Sequence, residues 1–275
     1  MTKRALVLGG GGVAGIAWET GVLAGLADGG VDLRAAGRII GTSAGATVAA
    51  QITSGLSWAE LYRRQADPAL QNKELPSGVP IEELMASLEG LFQREQDLPR
   101  LRKEMGRLAL AADTVAEPVR REVIAGRLPR HEWPDADLAV VAVDTATGEH
   151  RVFDRDSGVD LVDAVAASCA VPGVWPPVTI GAARYTDGGV RSATNADLAA
   201  GADRVLILAP MEDPQLGGVV ASLGGESRVT VVAPDEASLA AMGPDPLDPA
   251  VRTPAAEAGR AQGRALTERF LAFWG

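Results

Sequence analysis

Residues 4–15 read Arg4-Ala5-Leu6-Val7-Leu8-Gly9-Gly10-Gly11-Gly12-Val13-Ala14-Gly15, and residues 38–45 read Arg38-Ile39-Ile40-Gly41-Thr42-Ser43-Ala44-Gly45. Each stretch opens with a short apolar run that suits a buried strand, passes through glycine, and enters an alanine-rich segment of helical spacing. Helices are expected over about 14–27 and 44–53, the second closed by Gly55. The same alternation continues downstream. Strands are expected at 137–143 and 150–153, joined by the turn Asp144-Thr145-Ala146-Thr147-Gly148. A helix at 159–168 follows, then strands at 178–180, 184–186, 204–208 and 228–232. Strands alternating with helices imply a mostly parallel sheet covered on both faces, a three-layer α/β/α fold within a single domain over 1–275. Residues of about 58–134 break the rhythm with charged stretches of helical spacing at 81–90 and 101–124. They form a helical insertion, either a packing layer over the sheet or a mobile cover over a site. The C-terminal 254–275 is expected as an amphipathic helix packed on the domain.

Composition narrows the function classes. The chain has 36 acidic and 26 basic residues among 275, a formal net charge of −10, with 32 glycines, two histidines and one cysteine. One cysteine excludes an internal disulfide and a thiolate-rich zinc site. Two histidines, His131 and His150, disfavour a multi-histidine metal centre, so neither metal nor cofactor is expected. The acidic balance argues against nucleic acid as a partner. The apolar run before the glycines is too short for an export signal, and no run is long enough to span a membrane. A cytoplasmic protein is the expectation, with peripheral membrane contact open.

Three glycine motifs carry the chemistry. In the first, Gly10-x-Gly12-x-x-Gly15, consecutive glycines free backbone N–H groups to converge on an anion at a helix N-terminus. That anion is either a dinucleotide pyrophosphate or the oxyanion of an acyl-transfer intermediate. The second, Gly41-Thr42-Ser43-Ala44-Gly45, is a G-x-S-x-G between an expected strand and an expected helix. This is the context of a nucleophile elbow, in which a sharp turn raises the serine above the sheet. Ser43 is therefore the candidate nucleophile, and capping the helix is its plainer role. A serine needs a base, yet no histidine follows His150, which sits at a solvated strand end, and His131 lies in a charged surface segment. A Ser-His-Asp triad is disfavoured. The third motif, Asp187-Gly188-Gly189 at a strand end, offers a carboxylate instead, although Asp-Gly alone is also an ordinary hairpin turn.

In this order the three motifs resemble those of the patatin-like phospholipases, lipid acyl hydrolases with a Ser-Asp dyad on an α/β/α fold. The segment 167–173 followed by Trp175 also resembles the family's stretch upstream of its aspartate. The resemblance covers about 4–54 and 138–210. It implies Ser43 as nucleophile, Asp187 as general base, the glycine loop Gly10, Gly11 and Gly12 as the oxyanion hole, and a lipid or other acyl ester as substrate. Many relatives carry Arg or Lys where this chain has Ala14, and Asn195 corresponds to a family asparagine downstream of the aspartate. Cys169 and Trp175 are expected as buried core rather than pocket lining. Two rivals stand beside this reading. A dinucleotide-dependent oxidoreductase would use the first motif with Asp32 on the ribose, and a non-catalytic lipid-binding protein would share the fold.

Overall fold

A computed structural model, which describes residues 2–274, contains an eight-stranded sheet. Its strands are β1 (Arg4–Leu8), β2 (Arg38–Thr42), β3 (Leu138–Asp144), β4 (His150–Phe153), β5 (Val178–Ile180), β6 (Ala183–Asp187), β7 (Arg204–Leu208) and β8 (Arg228–Val232). Five of them run parallel in the order β8-β7-β1-β2-β3. The short β4 and β6 pair antiparallel with β3, and β5 pairs antiparallel with β6 at the sheet edge. The sheet is thus mostly parallel, as the alternation of strands and helices required.

The central parallel strands read as nearly unbroken apolar runs because both faces are covered. Leu6, Leu8, Ile39, Val140, Leu206 and Leu208 point into one layer, Ala5, Val7, Ile40, Val141, Val205 and Ile207 into the other. The first layer is thick. It contains α1 (Gly12–Asp28), α2 (Ala44–Ile52), α7 (Leu161–Ser168), α10 (Arg252–Ala265) and α11 (Thr267–Trp274). The α1 and α10 backbones approach closely: a Cβ on Gly259 would lie 2.4 Å from the Trp18 carbonyl oxygen. The second layer is thin, formed by α8 (Leu216–Leu223) and a short turn at Ala196–Ala199.

Between β2 and β3 lie α3 (Trp58–Ala66), α4 (Ile81–Arg94), α5 (Leu98–Ala111) and α6 (Glu117–Arg127). The helical spacing at 101–124 is therefore two helices rather than one. Pro118 falls in the first turn of α6, where its missing N–H is harmless, and its ring disfavours a helical residue before it. The tail likewise divides at Leu266 into α10 and α11. Two helices lay outside the sequence expectation, α8 and α9 (Glu236–Met242). Gly217 and Gly218 hide α8, whose Leu216, Val219 and Val220 fold onto the thin face.

One detail of the sheet positions the site. β4 occupies one side of β3 along Val140–Val143, so both other partners of β3 share the opposite side. There β2 ends with Thr42 opposite Val141, and β6, running the other way, ends with Asp187 opposite Ala142. Two strands from distant parts of the chain meet head to head on adjacent residues of β3.

Candidate active site

Ser43 is the single residue between β2 and α2, with φ 53° and ψ −112°. A side chain in that region is strained by about 1–3 kcal/mol unless its surroundings hold it there. The motif glycines make the turn possible. A Cβ on Gly45 would stand 2.0 Å from the Leu8 carbonyl oxygen, and one on Gly41 2.5 Å from Ala46 Cα. Side chains from the end of α7 brace the turn. The Ser43 amide donates to Ser168 Oγ at 2.9 Å, and that hydroxyl donates to the Val141 carbonyl at 2.6 Å. Cys169 Sγ donates to the Ser43 carbonyl at 3.2 Å.

The strand junction brings Asp187 to Ser43. Ser43 Oγ donates to Asp187 Oδ2 at 2.7 Å, and Oδ1 accepts the Gly189 amide at 2.7 Å. Both residues are buried. Burial pushes the Asp187 carboxyl up from 3.8 to about 6, against the opposing pull of the Ser43 and Gly189 hydrogen bonds. The same α7 segment braces this residue too, because the Ala170 carbonyl accepts the Asp187 amide at 3.0 Å. Asn195 locks the junction. Fully buried, with φ 49°, its Nδ2 donates to Thr42 Oγ1, to the Gly188 carbonyl and to the Ser192 carbonyl. It thereby ties the end of β2 to the turn after β6.

The glycines of the loop differ in what their amides bond. Among the described residues the Gly11 and Gly12 amides have no hydrogen-bond acceptor, and Gly12 (φ 61°) lines the cavity beside Ser43. Gly10 departs from the expectation as an oxyanion donor. Its amide is spent on the Ala193 carbonyl at 2.8 Å, and its Cα faces Ser43 as a wall. The Gly15 amide bonds the Gly11 carbonyl at 2.7 Å and helps hold the loop. Ala14, in the position where many relatives are basic, is buried, and its amide donates to the Pro246 carbonyl at 3.0 Å. That carbonyl caps the first turn of α1, where a pyrophosphate would otherwise bind. Asp32, the acid of the dinucleotide reading, pairs with Arg34 at 2.6 Å and caps a short turn at Leu33–Ala35.

The cavity over Ser43 has about 20 Å³ of internal room, enough for about one water. Its floor is Gly12, Val13, Ser43 and Ala44; its walls include Cys169, Val171 and Trp175. Cys169 and Trp175 are buried, as expected of core, but they also line the site. The roof comes from elsewhere in the chain: Glu74 and Leu75 ahead of α4, Arg120 and Arg127 on α6, and Leu247. Neither histidine is among these residues. His150 is exposed at the start of β4, and exposed His131 bonds the Ala125 carbonyl. Sequence reasoning missed Ser168 as a brace and the two cavity-lining arginines of α6, Arg120 and Arg127. Arg120, Ile124 and Arg127 share one buried helix face, a spacing visible in the sequence, but charged residues are ordinarily assigned to solvent. No cluster of ligands able to hold a metal occurs among the described residues.

The family model for patatin-like phospholipases matches residues 6–200, from β1 past the strand junction. The chain therefore belongs to the patatin-like phospholipase family, a family of lipid hydrolases. No curated protein matches it in sequence. Among solved structures it is similar to VipD from Legionella pneumophila, with TM-score 0.48 and 13% identity over 98% of this chain and 67% of that one. It is also similar to the type III effector protein ExoU, with TM-score 0.44 and 15% identity, covering 98% of this chain and 53% of that one. No helix among the described residues is long and apolar enough to cross a membrane.

Proposed function

We propose that the protein is a serine acyl hydrolase that cleaves carboxylic ester bonds of lipids, with Ser43 as nucleophile and Asp187 as general base. The observation that carries this reading is the 2.7 Å hydrogen bond between Ser43 Oγ, held at a strained elbow, and the Asp187 carboxylate. An ordinary carboxylate is a weak base toward a serine hydroxyl. One raised to about 6 is a better base and is still ionised at neutral pH.

The reaction follows from this geometry. Asp187 Oδ2 takes the hydroxyl proton as Ser43 Oγ bonds to the ester carbonyl carbon. The oxyanion that forms is received by the unpaired Gly11 and Gly12 amides and by the positive end of α1, at about 3–4 kcal/mol per donor. Collapse breaks the ester C–O bond, and the leaving alkoxide takes the proton from Asp187. Water then attacks the acyl-serine, giving its proton to Asp187, and the second collapse returns that proton to Ser43. No metal or cofactor enters the scheme.

The cavity is small where it reaches Ser43, so in this reading the 58–134 insertion, which contributes Glu74, Leu75, Arg120 and Arg127 to its lining, is a cover that moves to admit an acyl chain. Leu110, Val115 and Val119, exposed around the α5–α6 connection, suit peripheral contact with a lipid surface. The lone buried thiol of Cys169 suits a cytoplasmic setting. A fluorophosphonate probe should label the protein and fail to label Ser43→Ala. An unlabelled wild type, with no hydrolysis of p-nitrophenyl butyrate, would leave a lipid-binding protein on this fold as the better reading.

A further inference from the structure

Asn195 ties the strand junction together, and its side-chain amide has two ends with opposite needs. Nδ2 faces acceptors: the Thr42 hydroxyl at 3.0 Å and the Gly188 and Ser192 carbonyls at 3.2 and 2.8 Å. Oδ1 accepts a hydrogen bond from Arg191 Nη1 at 2.7 Å. A guanidinium only donates and a carbonyl only accepts, so these neighbours admit one orientation of the amide. Turned over, it would set Oδ1 against two carbonyls and its NH2 group against Arg191. Asn195 is fully buried, so solvent cannot replace the bonds lost.

Arg191 is anchored in turn from the thin layer. Asp197 lies on the short turn at Ala196–Ala199, and the guanidinium grips its carboxylate with both prongs, Nη1 to Oδ1 at 2.9 Å and Nη2 to Oδ2 at 2.6 Å. Hydrogen bonding from Arg191 is the main cause that holds the Asp197 carboxyl below its ordinary 3.8. The arginine side chain is 17% exposed and the carboxylate 41%, so the clamp runs from the surface inward. The Arg191 backbone is fixed as well. Its amide donates to the Gly188 carbonyl at 3.1 Å, and its carbonyl accepts Gln215 Nε2 at 2.9 Å. Arg191 is not among the residues that line the cavity over Ser43.

We propose that Arg191 is a positioning residue: clamped by Asp197, it holds the Asn195 amide in the one orientation that ties Thr42 to Gly188. Thr42 precedes Ser43 and Gly188 follows Asp187, so that amide sets how Ser43 Oγ and Asp187 Oδ2 meet. A small displacement of two reacting groups costs rate rather than affinity. The link to turnover rests on the acyl hydrolase reading above; the link to the junction rests on the hydrogen bonds alone.

The test is made on p-nitrophenyl butyrate hydrolysis. Arg191→Ala should lower kcat by about tenfold or more, the range expected when a hydrogen bond to a charged group is lost. KM should stay within about twofold, because no substrate contact is removed. Arg191→Lys, with one donor point in place of a fork, should recover part of the rate. Asp197→Asn should lose rate in the same direction but by less. Asn195→Ala should be impaired, and adding Arg191→Ala to it should reduce kcat no further, because the two residues act as one unit. A folded Arg191→Ala with wild-type kcat and only a lower Tm overturns the proposal, as do losses that multiply in the double variant. If Arg191→Ala does not fold, unchanged kcat in both Arg191→Lys and Asp197→Asn overturns it. A crystal structure of Arg191→Ala, or of Arg191→Lys in its place, needs no turnover. It should show the Asn195 amide displaced and Ser43 Oγ moved relative to Asp187, and an unchanged junction counts against the proposal. That arm decides the matter even if the wild type hydrolyses nothing, the separate outcome that would sink the acyl hydrolase reading.

Discussion

Replacing Asp187 by Asn should abolish turnover and raise stability, and pH should divide the two effects. The carboxyl sits at about 6 in the folded protein, against an ordinary value of 3.8, because it is buried. An acid held above its unfolded pKa favours folding fully below that value, and the contribution is lost as pH rises through the folded pKa. At ~1.4 kcal/mol per pH unit, the loss between pH 4 and pH 7 is about 3 kcal/mol. Asn keeps the shape and does not titrate. Urea denaturation should therefore show the variant matching the wild type near pH 4 and exceeding it by up to about 3 kcal/mol above pH 7. Wild-type kcat/KM on p-nitrophenyl butyrate should rise with pH along a single acid limb near 6, the pKa of the free base. A flat profile down to pH 4.5, or an Asn variant less stable than wild type at pH 8, would refute the argument that a buried ionised Asp187 is the base.

Three further outcomes follow from the same geometry. Ser43→Gly and Ser43→Ala should both be inactive, but the glycine variant should be more stable by about 1 kcal/mol in denaturant titration, because only alanine pays the positive-φ strain. His150→Ala, at an exposed strand end, should keep kcat/KM within about twofold of wild type; a folded but inactive variant would return histidine to the mechanism. Glu19 is fully buried in α1, its carboxyl oxygens without a close hydrogen-bond partner among the described residues, and burial raises its pKa well above the ordinary 4.5 against a weaker opposing pull from the Gly9 backbone. Its contribution to folding is therefore present below that value and is lost as pH rises. Glu19→Gln should match the wild type in acid and become the more stable protein as pH rises and the wild-type carboxyl is forced to ionise, measured by thermal unfolding across a pH series.

The sequence by itself determined the parallel strands, because each is a short, mostly apolar run bounded by glycine or a turn. It also determined the elbow, since the glycines flanking Ser43 answer a steric demand made within five residues. With only two histidines in the chain and none beyond His150, the sequence already pointed to the Asp187 carboxylate as the partner of Ser43. What lay beyond the sequence depends on which segments share a neighbour. That β2 and β6 meet end to end on β3 is a matter of sheet order, and 144 residues separate the two side chains it joins. The brace from Ser168 and the clamp from Asn195 rest on the same long-range pairing. Gly10 shows the converse: its composition matched an oxyanion donor, but tertiary structure gave its amide to Ala193. Arg120 is the sharpest case. A charged residue is assigned to solvent from sequence alone, and only the packing of α6 over the cavity, with Glu74 already gripped by Arg127, leaves that charge buried in the lining of the Ser43 cavity, 3.7 Å from the carboxylate it shares.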